Sequence, residues 1–343
     1  SGSGSGSGSR LPAPGDVGAR AAARGCDDRR TRSGSVTLMS DFEREAAAVD
    51  AFGRTLTAMV TPFAPDGSLD LDAARALAGH LVDSGCDGVV LSGTTGESPT
   101  TSDEEKRLLV EAVVGAVGDR ARVVAGVGTN DTRHSVHLAA QAAAAGASGL
   151  LVVTPYYSKP PAAGLLAHFR SVAEATDLPV MLYDIPARTG LRLGSDVLVA
   201  LAAHPRILAV KEATGDLFAG SLVRAECGLA YYSGDDALNL AWLAHGAVGI
   251  VSVVGHVAPR QCADMVEAVG KSDLATAREL YERLLPAVQG VMTRTQGVLM
   301  AKAGLQLQGV LPGRTVRAPL PEATDAEVAA LGADLRAAGL LTP

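Results

Sequence analysis

The feature that most constrains the fold is a regular alternation of short apolar runs and alanine-rich segments. The apolar runs begin near Leu56, Gly88, Val123, Gly149, Pro179, Ile207, Leu229 and Val248. Segments with helical spacing separate them, for example residues 71–82, 104–117, 135–145 and 165–175. Eight strands that alternate with helices over about 200 residues are typical of a (β/α)8 barrel. The sequence therefore predicts an α/β fold, a (β/α)8 TIM barrel.

A doubly wound open sheet is the competing α/β architecture. Such a sheet normally carries a glycine-rich phosphate loop after its first strand. The first apolar run is instead followed by Thr-Pro-Phe-Ala-Pro-Asp-Gly at residues 61–67, which is a turn without that loop. The 47% of hydrophobic residues with only 3% aromatic ones also indicate an aliphatic core, as parallel strands covered by helices on both faces require.

Three regions are expected along the chain. Residues 1–49 form a disordered or linker-like N-terminal arm, because their first 38 residues are rich in Ser, Gly, Pro and Arg and cannot bury a core. Residues 50–258 form the barrel. Residues 259–343 form a C-terminal helical extension, with helices near 260–269, 274–288, 298–307 and 325–338.

The composition excludes several classes of function. A net charge of −7 without a large basic block argues against nucleic-acid binding, and the apolar runs are too short for a membrane span. Four cysteines without Cys-x-x-Cys spacing indicate free thiols in a reducing cytoplasm. His134 and His137 share a helix face, but no carboxylate or cysteine ligand has matching spacing, so a metal site is not favoured.

Lys211 is the strongest candidate for catalysis. The apolar stretch Ile-Leu-Ala-Val at residues 207–210 leads directly into it, and a turn follows. Burial disfavours the charged form of a lysine and lowers its pKa. A neutral amine is a nucleophile whose natural target is a ketone or aldehyde. The alternative is that Lys211 is a solvated residue where the chain leaves a strand.

Polar residues also end the neighbouring apolar runs, where barrel active sites lie. In Gly-Thr-Thr-Gly-Glu at residues 93–97, the hydroxyls of Thr94 and Thr95 could help hold a carboxylate, or could simply bond their own turn. Tyr183 could relay protons to a lysine on the adjacent strand. Arg188 follows in a loop, as a carboxylate clamp or as a solvated residue.

Two adjacent tyrosines, Tyr156 and Tyr157, lie in a proline-rich loop after the fourth apolar run. Their residue types alone leave packing and interface roles equally open.

Five motifs together resemble the 4-hydroxy-tetrahydrodipicolinate synthase (dihydrodipicolinate synthase) family. They are Gly-Thr-Thr-Gly-Glu at 93–97, Thr-Pro-Tyr-Tyr at 154–157, Tyr-Asp-Ile-Pro-Ala-Arg-Thr-Gly at 183–190, Val-Lys-Glu-Ala at 210–213 and Ser-Gly-Asp-Asp at 233–236. The likeness runs from about residue 55 to the C-terminus and is greatest to actinobacterial members. It implies a lyase that condenses pyruvate with L-aspartate 4-semialdehyde, in the diaminopimelate route to L-lysine.

The resemblance implies a role for each matching position. Lys211 forms a Schiff base with pyruvate, and Tyr183, Thr94 and Tyr157 form a proton relay, with Tyr157 reaching across a dimer interface. The substrate-binding positions are Thr95, Arg188, Gly234 and Val251. The family further implies no metal and no organic cofactor, and a homotetramer built as a dimer of dimers.

The resemblance also implies an effector site for L-lysine at Ser98, Asn130 and Tyr156. Asp103, Lys106 and His134 stand where lysine-sensitive members have two histidines and a glutamate. A cationic residue there repels the ammonium of L-lysine, and Asp103 offsets this in part. We therefore expect weak or absent inhibition.

Two other functions fit the sequence less well. A related pyruvate-dependent aldolase, acting on N-acetylneuraminate or a 2-keto-3-deoxy sugar acid, would need contacts to hydroxyl groups rather than an arginine clamp. A non-catalytic paralogue that binds a keto acid is disfavoured because every matched catalytic position is intact.

Overall fold

The computed structural model describes residues 1–3 and 41–342. The chain divides into two units, Ser1–Thr37 and Leu38–Pro343, and the fold described here is that of the second unit. The disorder expected for residues 4–40 lies outside the described residues.

The sheet is a closed barrel of parallel strands, as the alternating pattern predicted. Each strand pairs with the next one in the chain, and the last pairs with the first. The strands are β1 (Thr55–Ala58), β2 (Gly88–Leu91), β3 (Arg122–Gly126), β4 (Gly149–Val153), β5 (Val180–Asp184), β6 (Ile207–Glu212), β7 (Ala230–Ser233) and β8 (Gly249–Ser252).

One helix precedes the first strand, and the other helices follow the strands around the outside. They are α1 (Asp41–Phe52), α2 (Leu71–Asp83), α3 (Asp103–Val117), α4 (Thr132–Ala144), α5 (Ala162–Glu174), α6 (Pro186–Thr189), α7 (Ser195–Ala202), α8 (Leu217–Cys227), α9 (Asn239–Ala244), α10 (Pro259–Gly270), α11 (Leu274–Met292), α12 (Gly297–Leu307) and α13 (Asp325–Ala337). The last four confirm the expected helical extension.

Local sequence signals explain where several helices begin. Asp70 and Asp131 accept hydrogen bonds from backbone N–H groups in the first turns of α2 and α4. Ser102 and Glu105 form a reciprocal capping box at the start of α3. Each cap satisfies amide groups that have no partner inside the helix, and so fixes the point at which the loop from the preceding strand ends.

The core has two layers. The outer faces of the strands pack against the surrounding helices in one large cluster of aliphatic side chains. A second cluster fills the barrel interior and includes Val90, Met181 and Val251. Both faces of each strand are therefore buried, which explains why the strands appear in the sequence as continuous apolar runs.

Helix α1 corrects the expected boundary of the arm. Residues 41–49 were assigned to a linker-like segment, but they belong to α1, which packs against the barrel. Ala48 and Phe52 are fully buried in the cluster that fills the barrel interior. The Phe52 ring lies edge-on to Tyr232 at 6.2 Å, and the Tyr232 hydroxyl donates to the carbonyls of Ala48 and Gly53. Helix α1 thus closes the amino-terminal end of the barrel.

In the part of the chain that the structure describes, no helix is both long and apolar enough to cross a membrane.

Candidate active site

The carboxyl ends of β5 and β6 bring Tyr183 and Lys211 together. The two residues are direct partners in the register of the parallel strands. The Lys211 side chain is 5% exposed, and its Nζ lies 4.2 Å from the centroid of the Tyr183 ring. Burial lowers the pKa of Lys211 to about 8, the negative charge of Asp236 opposes that shift, and the positive charge of Arg188 adds to it. At pH 7, one unit below this pKa, about a tenth of the amine is neutral, far more than for an exposed lysine with its pKa of about 10.4.

The Tyr183 hydroxyl is connected to the loop after β2. Burial raises the pKa of Tyr183 to about 12, against opposing contributions from Arg188 and from a side-chain hydrogen bond with Thr94. The phenol therefore keeps its proton at neutral pH and can pass it between neighbours. Thr94, Tyr183 and Lys211, three of the four catalytic candidates, therefore lie close together.

The turn at residues 93–97 has a tightly constrained backbone. Ser98 N–H donates to the Gly93 carbonyl and Glu97 N–H to the Thr94 carbonyl. A Cβ at Gly96 would lie 3.0 Å from the Ser92 nitrogen, so a side chain cannot be added there without moving the turn. Thr94 and Thr95 are half-buried in this turn. These contacts hold the backbone of Thr94 in place.

A cavity of about 420 Å³ opens above the carboxyl ends of the strands. Its walls include the catalytic candidates Thr94 and Tyr183 and the substrate-binding candidate Arg188, which lies on α6. The effector candidates line the same cavity: they are Ser98, Asn130 and Tyr156. Within this chain, the cavity is therefore shared by catalytic and effector candidates. Thr95, Lys211, Gly234 and Val251 are not among the lining residues.

Gly234 lies against the lysine side chain. A Cβ added at Gly234 would lie 2.9 Å from Lys211 Cγ, 3.0 Å from Lys211 Cε and 2.9 Å from the Glu212 carbonyl oxygen. The Gly234 N–H also donates to that carbonyl at 2.7 Å. Glycine is therefore required if Lys211 is to keep its present path. Val251 is buried in β8, where it pairs with Leu56 inside the barrel.

Tyr157 does not contact the other catalytic candidates within this chain. Its side chain is 89% exposed, and its φ of 72° is in the left-handed region that non-glycine residues rarely adopt. Its backbone is held by a hydrogen bond to the Thr189 carbonyl. The loop thus presents a large aromatic side chain to the outside.

Two charged groups near the effector candidates are already engaged. His134 Nε2 lies 3.0 Å from both carboxylate oxygens of Asp103. The buried Lys106 ammonium donates to the carbonyls of Ser98 and Thr101 at 3.0 and 2.5 Å. Burial lowers the pKa of Lys106, although Asp103 and Glu105 oppose this shift.

Asp236 was quoted in a motif but given no role by sequence reasoning. Its buried carboxylate accepts hydrogen bonds from Ser252 Oγ, from the backbone N–H groups of Val253 and Val254, and from Asn239 Nδ2. It therefore ties the end of β7 to the end of β8 and places a negative charge near Lys211. The signal in the sequence was a second aspartate directly after a strand, in Ser-Gly-Asp-Asp.

Among residues 43–342, no group of three or more His, Cys, Asp or Glu side chains is arranged to hold a metal ion.

The chain matches the model of the Dihydrodipicolinate synthetase family over residues 51–338. It is 63% identical over 289 residues to 4-hydroxy-tetrahydrodipicolinate synthase of Kineococcus radiotolerans, covering 84% of this chain and 94% of the relative. It is 60% identical to the enzyme of that name from Mycolicibacterium paratuberculosis, with 84% and 96% covered. The crystal structure of the synthase from Cyanidioschyzon merolae with lysine bound has a TM-score of 0.81 and 38% identity, with 85% and 99% covered.

The family model matches most of the barrel and the helical extension, and the identities hold over nearly the whole length of the relatives. The Lys211–Tyr183–Thr94 arrangement at the carboxyl end of the barrel lies within the matched region. The chain therefore belongs to the dihydrodipicolinate synthetase family.

Proposed function

We propose that this chain is a lyase that condenses pyruvate with L-aspartate 4-semialdehyde to give 4-hydroxy-tetrahydrodipicolinate, in the diaminopimelate route to L-lysine. The observation that carries the proposal is the buried Lys211 ammonium, whose pKa is lowered to about 8, beside Tyr183. The names of the relatives agree with this activity.

The chemistry begins at Lys211. Its neutral amine attacks the ketone carbon of pyruvate, and loss of water gives an imine. The protonated imine withdraws electrons from the methyl group, which then loses a proton to form an enamine. In our proposal, Tyr183 moves protons at the imine and Thr94 takes part in the relay. In our proposal, Thr95 contacts the pyruvate carboxylate, and Gly234 and Val251 shape the pocket around the lysine.

The enamine carbon then attacks the aldehyde of the second substrate. The amino group of the adduct adds to the imine carbon, the ring closes, and Lys211 is released as a free amine. Arg188 is exposed on the cavity wall, where its guanidinium can take the carboxylate of the semialdehyde in a bidentate contact.

Borohydride reduction in the presence of pyruvate tests the Schiff base. Peptide mass mapping should find the reduced three-carbon adduct on Lys211, and Lys211→Ala should lose both the adduct and most of the rate. An adduct on another lysine, or no adduct on folded protein, would contradict the proposal. Cleavage of N-acetylneuraminate or 2-keto-3-deoxygluconate, without turnover of the semialdehyde, would favour the related aldolases.

We also propose that the chain works in the cytoplasm as a homotetramer, a dimer of dimers. Tyr157 projects from one protomer, and in this proposal it completes the relay of its neighbour. Phe218 and Leu222, four residues apart on α8, are 75% and 54% exposed. Exposed apolar pairs of this kind favour a second contact between subunits.

Mixing two inactive variants tests the shared site. Tyr157→Phe and Lys211→Ala chains, unfolded together and refolded at equal amounts, should recover about a quarter of the wild-type sites, because half of the dimers are hybrids with one complete site. The separately refolded variants are the control. Recovery no greater than the sum of those controls would show that Tyr157 does not serve a neighbouring protomer.

A further inference from the structure

A buried ion pair lies under the loop that carries Thr94. Glu97, the last residue of the turn at 93–97, is 2% exposed, and Lys302 of α12 is 1% exposed. Lys302 Nζ lies 2.5 Å from Glu97 Oε1 and also donates to the Thr315 carbonyl at 2.7 Å. Burial lowers the pKa of Lys302, and the Glu97 carboxylate opposes this shift. The catalytic loop is thus joined by charge to the helical extension.

The chain after α12 is bound to the same carboxylate. Glu97 Oε2 accepts from the Arg317 backbone N–H at 2.9 Å. The Arg317 guanidinium in turn donates to the Thr100 carbonyl and to Glu105. Lys302 and Arg317 both lie over the ring of Phe63, at 4.4 and 4.2 Å from its centroid. Residues 97–105 are therefore fastened to residues 302–317 at several points.

The loop has a conformation that needs such support. Ser92 and Glu97 have φ values of 53° and 55°, in the left-handed region that is unfavourable for residues with a side chain. A non-glycine residue stays in this region when its surroundings hold it there. The two residues bracket the turn that contains Thr94 and Thr95, so the ion pair acts at one end of the strained segment.

The hydrogen bonds of the turn carry this restraint to the catalytic side chain. Glu97 N–H donates to the Thr94 carbonyl at 3.1 Å. The Thr94 side chain lies close enough to the Tyr183 hydroxyl to lower its pKa, and both residues line the same cavity. The Tyr183 ring in turn faces Lys211 Nζ. A shift of Glu97 would therefore move Thr94 relative to Tyr183.

Stability alone gives a poor reason for the pair. Burying two charges costs about as much as their attraction returns, and well-packed apolar residues often serve equally well. We propose that Glu97 and Lys302 are positioning residues for the reaction, which hold Thr94 on the Tyr183 hydroxyl from the helical extension. This inference rests on the proposed function of Lys211 and Tyr183.

A double-mutant cycle tests the proposal. Lys302→Met should lower kcat by at least about tenfold, because misplacement of a catalytic group by about 1 Å costs that much or more. In a Thr94→Val background, Lys302→Met should lower kcat less than about threefold, since the group that it positions is already absent. Equal factors in the two backgrounds would overturn the proposal, because a purely structural role acts on both alike.

Two controls distinguish a loss of positioning from a loss of folding. The double variant Glu97→Gln/Lys302→Met removes both charges, so no unpaired charge stays buried. It replaces Lys302→Met in the cycle if the single variant does not fold. Leu335 is fully buried in α13 of the helical extension. Leu335→Ala therefore creates a cavity there and lowers the melting temperature of the protein. Its kcat, measured where it is folded, should stay within about twofold of wild type. A fall as large as that of Lys302→Met would overturn the proposal.

The wild-type protein separates this inference from the proposed function. Absence of the pyruvate adduct at Lys211 in wild type contradicts the function, and with it the inference. A normal adduct and normal turnover, together with an unaffected Lys302→Met variant, contradicts the inference alone.

Discussion

At the scale of single residues, the reactivity of Lys211 depends on how little water reaches its ammonium. Burial is the largest cause of its lowered pKa, and Arg188 adds to the effect while Asp236 works against it. The two charges differ in their surroundings, because Arg188 is exposed and Asp236 is buried among four hydrogen-bond donors. Solvent therefore screens the first charge more than the second.

The lowered pKa predicts how imine formation depends on pH. Only the neutral amine attacks pyruvate, so the rate should rise about tenfold per pH unit below the pKa of about 8 and level off above it. Arg188→Ala should move the midpoint upward, because a cation that disfavours the ammonium is removed. The measurement is the initial rate of borohydride-trapped adduct across the pH range. A wild-type midpoint near the ordinary lysine pKa of about 10.4 would contradict this account.

Gly234→Ala should disable Lys211. The added Cβ would lie within 3.0 Å of two carbons of the lysine side chain, and the lysine must move to accommodate it. We expect the trapping rate to fall by at least about tenfold, since small displacements of a reacting group are costly. Gly115→Ala is the matched control, because a Cβ there meets no atom within 4 Å. Similar trapping rates in the two variants would refute the steric argument.

At the scale of elements, the sequence predicted best the strands and the residues at their ends. Strands β1 to β8 begin at the predicted positions or one residue away, because strands buried on both faces give continuous apolar runs. Lys211 and Tyr183 could be singled out because each interrupts such a run at its end. Their direct pairing followed from the order of the strands in a barrel.

Other contacts left no local pattern to detect. Glu97 and Lys302 are 205 positions apart in the sequence, and only the closed fold brings their charges together. A lone lysine inside the apolar stretch 298–305 was nonetheless a signal, since an isolated charge on a buried helix needs a partner. Helix α1 was missed because its sequence is rich in alanine and charged residues, and Phe52, which is fully buried, lies at its end.

The charged residues near the effector candidates predict weak inhibition by L-lysine. Asp103 is paired with His134, and the Lys106 ammonium already donates to the carbonyls of Ser98 and Thr101. An incoming ammonium would meet like charge and few free acceptors. In an initial-rate titration near neutral pH, we expect less than half of the activity to be lost at about 1 mM L-lysine. A Kd of about 1 mM corresponds to a binding free energy of about −4.1 kcal/mol.

Lys106→Met removes the opposing charge and nearly keeps the side-chain volume, so it should become several-fold more sensitive to L-lysine. Half-inhibition of the wild type at submillimolar L-lysine would show that these substitutions do not block the site.

At the scale of the whole molecule, buried histidines connect the fold to pH. His256 is fully buried where the loops after β1 and β8 meet: its Nε2 accepts from the Val60 N–H, and its Nδ1 donates to the Val253 carbonyl. Burial lowers the pKa of His256 to about 4, and the positive charge of Lys302 lowers it further. The hydrogen bond to the Val253 carbonyl opposes this shift. The folded protein therefore holds this imidazole neutral.

The contribution of His256 to stability is complete above its unfolded pKa of about 6.5 and declines as the pH falls toward about 4, because the unfolded chain takes up the proton first. Asp184, whose pKa burial raises to about 7, acts in the opposite direction. His256→Gln keeps an acceptor and leaves Asp184 unchanged. Between pH 7.5 and 5.0, the free energy of unfolding should fall by about 2 kcal/mol more in wild type than in this variant. Urea titrations at both pH values measure the difference, and equal changes would contradict it.

Helix α1 closes the amino-terminal end of the barrel, and this closure affects Lys211 at the opposite end. Phe52 and Ala48 seal the interior beside Tyr232, in the same cluster of packed side chains that reaches up to Tyr183. A chain cut after residue 52 would keep every strand and lose both sealing residues, so water could enter at the amino-terminal end. Because burial away from water lowers the pKa of Lys211, entry of water would raise this pKa. Less of the amine would then be neutral at neutral pH, and Lys211 would be a poorer nucleophile. The chemistry at the top of the barrel thus depends on a short helix that precedes the first strand.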